Sequence, residues 1–374
     1  MLGLYISIAA VLILAILFLV FRIQTFIDIV RGANSRRVGT SNKVNAFLLL
    51  AFFVVSTALF IWYSVPASKF FLPKAVSEHG VRTDQMFWIT MAILIIAFIG
   101  TNIFLFSFVF KYQFKEERKA YFYPDNHKLE IIWTVIPAIV MAILVYFGWK
   151  EWSSITRPAP ENAEVVEIMG KQFAWQVRYP GKDKKFGGYN FKLIDATNEM
   201  GMNLNDPNTK DDFLPSEIHI PKGQPVLFKI RARDVIHSVF APHFRLKMDA
   251  VPGLPTKFWF TPTKTTQEMR DELGNPKFNY EIACTEVCGR GHFAMRYIIV
   301  VEEPEEYETW FAAQKPWSES NLEYILTKVD EKSKGLYPAP PVPAAAPKAD
   351  TTSTPAPAAA DTVSNNTSVS LNSH

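Results

Sequence analysis

Cys284-Thr-Glu-Val-Cys288-Gly-Arg-Gly-His292-Phe-Ala-Met295 holds both cysteines of the chain, a histidine and a methionine within twelve residues. His237 stands forty-seven residues before Cys284. Two thiols, two imidazoles and a thioether are soft and borderline donors, a set that selects copper over magnesium or calcium. A Cys-x-x-x-Cys spacing brings two thiolates together if the intervening loop curls back, so one loop supplies several ligands while His237 arrives from another connection. One cysteine in such a loop makes a mononuclear blue-copper site, and two can bridge a pair of coppers. The competing reading is a local disulfide on an oxidising side of a membrane, and the matching His237, His292 and Met295 weigh against it.

Around this motif the chain runs in short β-branched and aromatic segments bounded by Pro and Gly, at 165–179, 226–233, 256–260, 278–283 and 296–301. Such a series predicts a β-sandwich or barrel. One ligand upstream and a compact Cys/His/Met loop between the last strands is the pattern of cupredoxins. The polar stretch 180–215, rich in Gly, Asn, Asp and Lys, reads as a surface loop. A helix at 307–314 closes the domain, and from about Lys332 the Pro-, Ala-, Ser- and Thr-rich tail cannot bury enough apolar area to fold.

Upstream the texture changes. Apolar runs at 2–21, 46–65, 86–110 and 131–149 each approach the ~20 residues needed to cross a bilayer core. No positive charge precedes the first run and no small-residue cleavage site follows it, so it reads as a retained helix rather than a signal peptide. Arg22, Arg31, Arg36, Arg37 and Lys43 follow the first run, and Lys111, Lys115, Arg118, Lys119 and Lys128 follow the third. The positive-inside rule makes both loops cytoplasmic and places everything after the fourth run on the outer face. Pro137 inside the fourth run is tolerable in lipid, where neighbouring groups satisfy the freed carbonyl.

The expected fold is therefore α-helical transmembrane hairpins followed by an all-β cupredoxin-like domain, a Greek-key barrel or sandwich. Its expected parts are an extra helix pair at 1–66, a second hairpin at 86–150, the β domain at 151–320 and a disordered tail at 332–374. Of 374 residues, 49% are hydrophobic and 20% charged, which fits a membrane portion joined to a polar one. Residues 151–330 carry 26 acidic and 22 basic side chains, a balance of −4, so a nucleic-acid partner is excluded for want of a basic patch. The acidic balance either solvates the surface or steers a basic electron donor. No C-x-x-C-H occurs, so the chain attaches no haem covalently.

The string C-x-E-x-C-x-x-x-H-x-x-M, preceded by Asp234-Val-Ile-His237-Ser and Lys247-Met-Asp249-Ala-Val-Pro-Gly253, resembles the binuclear Cu-A domain of subunit II of haem-copper cytochrome c oxidases. Glu130-Ile-Ile-Trp133-Thr-Val-Ile-Pro137 and Gly170-Lys-Gln172-Phe-Ala-Trp175 extend the resemblance, which covers about 86–314. It implies that Cys284 and Cys288 bridge two coppers, with His237 and Met295 completing one and His292 and the Glu286 carbonyl the other. It further implies that the Glu286 side chain reaches a magnesium shared with the catalytic subunit. Glu130 would mark the cytoplasmic entrance of a proton path, the alternative being an ordinary interfacial carboxylate. Implied partners are subunit I and the other oxidase subunits, the lipid bilayer, and a donor that is either cytochrome c or a docked haem-bearing complex. The location implied is a bacterial inner membrane with the copper domain in the periplasm, and the reaction served is proton-pumping reduction of O₂ to water.

Two departures stand out. Phe173 occupies the position where the family usually carries the tryptophan that receives electrons, leaving Phe173 and buried-aromatic candidate Trp175 as the input route. Leu254 follows Pro252-Gly253 where arginine is usual. A copper-containing nitric oxide reductase subunit is the nearest alternative, because its site would look alike. A thioredoxin-like copper chaperone also uses Cys-x-x-x-Cys but needs alternating strands and helices. Nitrous oxide reductase needs a His-rich second cluster, and only seven histidines are present. His243 is the one rival for His237 as upstream ligand and reads instead as a surface or subunit-contact residue. His79, His127, His219 and His374 read as surface histidines, and Met248 and Met269 as packing residues.

Overall fold

A computed structural model describes residues 2–30, 40–115 and 117–337. Four helices, α1 (Leu2–Val30), α2 (Thr40–Ala67), α3 (Glu78–Lys111) and α4 (His127–Thr156), are each long and apolar enough to cross a membrane. The helices outrun the apolar runs, and α3 and α4 each open on a capping residue. Ser77 caps α3, its hydroxyl accepting from the Gly80 amide at 3.0 Å, with Glu78 in the first turn. Asn126 caps α4 through the Leu129 amide at 3.1 Å, and α4 continues through Pro137. A stack of Phe53 on Phe106, centroids 4.5 Å apart, pins α2 to α3.

The β domain packs two sheets face to face. One has the order β2 (Ala174–Arg178), β1 (Glu164–Lys171), β4 (Val226–Ala232), β7 (Thr256–Phe260). The other runs β3 (Ile218–Pro221), β9 (Arg296–Glu302), β8 (Tyr280–Cys284), β5 (His237–Ala241), β6 (Leu246–Ala250). β1 with β4 and β3 with β9 pair in parallel, and the other ladders are antiparallel. Period-two alternation aims Val166, Ile168, Phe228 and Ile230 from one sheet at Val239, Ile282, Ile299 and Val301 from the other, all essentially sealed from solvent. The result is the cupredoxin-like sandwich that the short-strand series predicts.

Several expectations need correction. The segment 165–179 is a hairpin and not one strand: β1 turns at Gln172 and Phe173, and Lys171 pairs with Ala174. No Gly, Pro, Asn or Asp signals that turn. The polar stretch 180–215 is irregular, yet it buries Met200, Met202 and Leu204 with Met169, Ile325, Val329 and Tyr337 in a second small core. The helix Pro304–Ala312 packs Tyr307 and Phe311 into the main core, and two short helices, Trp317–Ser320 and Leu322–Lys328, close the second one. Residues 332–337 are ordered: Tyr337 is buried and its hydroxyl donates to the Leu204 carbonyl at 2.7 Å. The rest of the expected tail, 338–374 with His374, lies outside the described residues.

The insertion also covers a layer of charge on the outer face of the first sheet. Arg178, wholly buried, donates to Glu167 at 3.2 Å and through Nε to Asp212 at 3.0 Å. Arg231 donates to the other Glu167 oxygen at 2.8 Å and to the Met200 carbonyl at 2.7 Å.

The membrane helices are keyed into this domain by the connector between α2 and α3. Val76 is fully buried in the main core, its amide donating to the His243 carbonyl at 2.8 Å and its carbonyl accepting from Thr263 at 2.9 Å. Arg245 grips Asp84 at 2.7 Å, and Arg82 grips Glu151 at 2.7 Å. The connector and everything after α4 thus lie at one end of the helices. His79 is not a surface histidine: it is 3% exposed and meets Trp259 edge-on at 4.6 Å. His219 is half-buried, stacked on Trp310 and bonded to Glu302 at 3.0 Å. Met269 is buried and Met248 packs against the core, as packing residues.

Candidate metal centre

β5 begins at His237 and β8 ends at Cys284, and the two strands are neighbours with Val239 opposite Cys284. The loop after Cys284 must return to β9, and it curls through a short 3-10 turn at His292–Ala294. Hydrogen bonds pin both ends of that loop. Thr285 N donates to Ser238 O at 3.2 Å, and Cys284 N to Met295 O at 3.1 Å. Cys284 and Cys288 then converge on the imidazole of His237, while His292 and Met295 reach Cys288.

Cys284 Sγ lies 3.9 Å from His237 Nδ1 and 3.3 Å from the Glu286 carbonyl oxygen. Cys288 Sγ lies 3.5 Å from His292 Nδ1 and 3.4 Å from Met295 Sδ. Both cysteines are free thiols, and both are buried with His237 and Met295. Among the described residues the one group of three His, Cys, Asp or Glu ligand atoms within 4.8 Å of one another is His237, Cys284 and Cys288. Burial, with Cys284 beside it, pushes the Cys288 thiol up to about 11. Thiols so placed become thiolates on binding a cation. The donor atoms are soft, mutually close and otherwise unused, so the residues fit copper.

The surroundings orient the donors. Asp234 Oδ1 lies 2.9 Å from His237 Nε2, which leaves Nδ1 facing Cys284. Gly170 leaves room for that ring, since a Cβ there would stand 2.8 Å from His237 Cδ2. Trp175 is buried with its ring centroid 5.9 Å from that of His237, and its indole N–H points at the Met295 carbonyl at 3.4 Å. Phe173 is 40% exposed and lies against Gly289 and Gly291 of the cysteine loop.

The remaining candidates stand apart. The Glu286 side chain is exposed beside the cluster. Glu130 is in the first turn of α4, 3.2 Å from His127, about 40 Å of helix away from the β domain. His243 lies beyond the far end of β5, half-buried edge-on to Phe278 and Tyr280, and is not in the cluster. Sequence reasoning did not assign Asp234 and Gln172 as supports for the ligands. Their signal was present, three residues before His237 and directly before Phe173.

The transmembrane-domain model of cytochrome c oxidase subunit II matches residues 64–150, and the model of its periplasmic domain matches residues 164–303. The alternative cytochrome c oxidase subunit 2 of Bradyrhizobium diazoefficiens is 35% identical over 236 residues, covering 62% of this chain and 78% of that protein. Cytochrome c oxidase subunit 2 of Thermostichus vulcanus is 26% identical over 311 residues, covering 69% of this chain and 82% of that protein. The solved periplasmic domain of cytochrome oxidase subunit II from Bradyrhizobium japonicum aligns at 24% identity and a TM-score of 0.28, over 41% of this chain and 94% of that one. Both halves of the chain match in order, with a relative above 30% identity covered over most of its length, and the chain belongs to the cytochrome c oxidase subunit II family of haem-copper oxidases.

Proposed function

We propose that the chain is the electron-input subunit of a proton-pumping haem-copper terminal oxidase in a bacterial inner membrane, with its β domain in the periplasm. The buried group of Cys284, Cys288 and His237, with His292 and Met295 against Cys288 and the Glu286 carbonyl against Cys284, carries this reading. In it Cys284 and Cys288 would both hold a pair of coppers, with His237 and Met295 serving one and His292 and the Glu286 carbonyl the other. The copper pair, when bound, supplies a one-electron relay whose charge is shared between two metals.

The protein's own part is to fix the donors. Asp234 sets the His237 ring, the β5–β8 ladder sets Cys284, and the Met295 carbonyl ties the loop to Cys284. Donors held by packing and by hydrogen bonds around them move little when charge changes, which keeps electron transfer fast. Phe173 is the exposed aromatic where a cytochrome c or a docked haem protein would deliver the electron, with Trp175 behind it. The exposed Glu286 carboxylate, a hard donor, suits a magnesium shared with subunit I. Glu130 marks the mouth of a proton path at the other membrane face.

Purification of the full chain with its partner subunits tests the reading. Two coppers per chain, and hyperfine structure from one unpaired electron shared equally by two copper nuclei, are expected together with O₂ consumption. One copper per chain, or NO consumption without O₂ consumption, would overturn it.

A further inference from the structure

Gln172 and Asp234 take no direct part in the ligand set, yet they touch both halves of it. The Gln172 amide N–H donates to Asp234 Oδ2 at 2.8 Å, while the other Asp234 oxygen lies 2.9 Å from His237 Nε2 and accepts from the Val235 amide at 2.8 Å. The Gln172 side chain reaches the opposite way and donates to the Cys288 carbonyl at 2.6 Å. One residue therefore holds the backbone around a ligand cysteine, and its own backbone is held by the carboxylate that orients a ligand histidine.

Phe173 follows directly, and its ring rests on bare backbone. A Cβ at Gly289 would stand 2.9 Å from Phe173 Cε1, and one at Gly291 would stand 2.5 Å from Phe173 Cγ. Only glycines give the ring a seat this close to the peptide groups between Cys288 and His292. Trp175, two residues on, contacts the same cluster from inside.

We propose that Gln172 and Asp234 are positioning residues forming one clamp that holds the Phe173 ring against the Cys288–His292 backbone and fixes His237, so that an electron arriving at Phe173 has a continuous packed route to the metal ligands. The proposal rests on the electron-input reading and adds the route and the groups that keep it closed. No bond is made or broken: a reduced haem protein or inorganic reductant loses one electron and the metal site gains it.

Gln172→Met, Asp234→Asn and Gly291→Ala in the full chain test the clamp by three readouts. In the metal-free protein, hydrogen exchange at the Gln172 amide should quicken in Asp234→Asn and the 172–174 segment should loosen in Gln172→Met. In the copper-loaded protein, Gln172→Met and Gly291→Ala should keep two coppers per chain, with a shift of the copper spectrum where the loop backbone moves. Both should nonetheless accept electrons from a photogenerated ruthenium reductant about tenfold more slowly, while Asp234→Asn should lower copper affinity roughly 10- to 100-fold. Wild-type exchange in the metal-free variants would overturn the clamp whatever metal is bound. Unchanged electron uptake, or equal loss of copper in all variants, would overturn the route. A wild-type chain holding fewer than two coppers would instead overturn the electron-input reading, leaving the exchange result to decide the clamp.

Discussion

Strand β1 separates two regions that bury polar groups in opposite ways. From one face Glu167 enters a layer in which Arg178, Arg231 and Asp212 satisfy one another beneath the insertion. From the other face Gly170 makes room for His237 and the thiols, whose donor atoms satisfy nobody and point at a common centre. The first arrangement is largely closed as folded: the buried charges are paired and further arginine protons find carbonyls, with Asp212 Oδ1 left without a partner. The second is complete only with cations. Buried polar atoms that close on each other hold a fold, and those left facing one another across a gap of metal-ligand size mark a site.

The contrast breaks most severely if the open cluster proves as self-sufficient as the charged layer. Cys288→Ser is expected to abolish the binuclear signal and cut bound copper to one or none per chain, read by metal analysis and electron spin resonance. The fold should survive, because the β8–β9 ladder carries no copper ligand inside it. Arg178→Met should do the reverse. It strands Asp212 in the interior and leaves Glu167 to Arg231 alone, a loss expected at about 3–5 kcal/mol, read by thermal or chemical unfolding, with the copper spectrum of the folded fraction unchanged.

Gly170→Ala probes the strand the two regions share. The added methyl presses on the His237 ring, and overpacking of about 1–3 kcal/mol should come with a shift of the copper spectrum. The layer variant should produce no such shift. The smallest effect concerns pH. Burial, and then Arg245 nearby, lower His243 from 6.5 to about 4. The unfolded chain therefore takes up this proton first, so the stability tied to a neutral His243 is present above about 6.5 and is lost as pH falls toward 4. His243→Phe should flatten that slope in unfolding curves.

The difference between the regions also explains what the sequence disclosed. The ligand cluster was legible because four of its five side chains lie within twelve residues and soft donors at that spacing have few other uses. The membrane helices were legible because lipid leaves apolar length as the main signal, though their caps were not. The charged layer was hidden. Glu167, Arg178 and Arg231 alternate along strands as solvent-facing residues would, and only the folded insertion turns that face inward. The same covering buries Met200, Met202 and Leu204 in a stretch whose composition reads as surface. Strands β3, β5 and β6 were missed because they lack an unbroken β-branched and aromatic run: β3 closes on Pro221, β5 opens on His237-Ser238, and β6 reads Leu-Lys-Met-Asp-Ala. The hairpin turn at Gln172 and Phe173 lacked turn residues, so the clamp that reaches both halves of the cluster was folded into one predicted strand.

Val76 carries a consequence for biogenesis. It belongs to the β domain's core but is delivered by the chain between two membrane helices, ahead of α3 and α4. The β domain therefore cannot finish its interior from its own contiguous sequence. The Val76 position fills only when the α2–α3 connector is threaded beside His243 and Thr263. Placement of the helices and completion of the domain are thereby tied together, because without the connector the core has a hole and two backbone groups lose their partners.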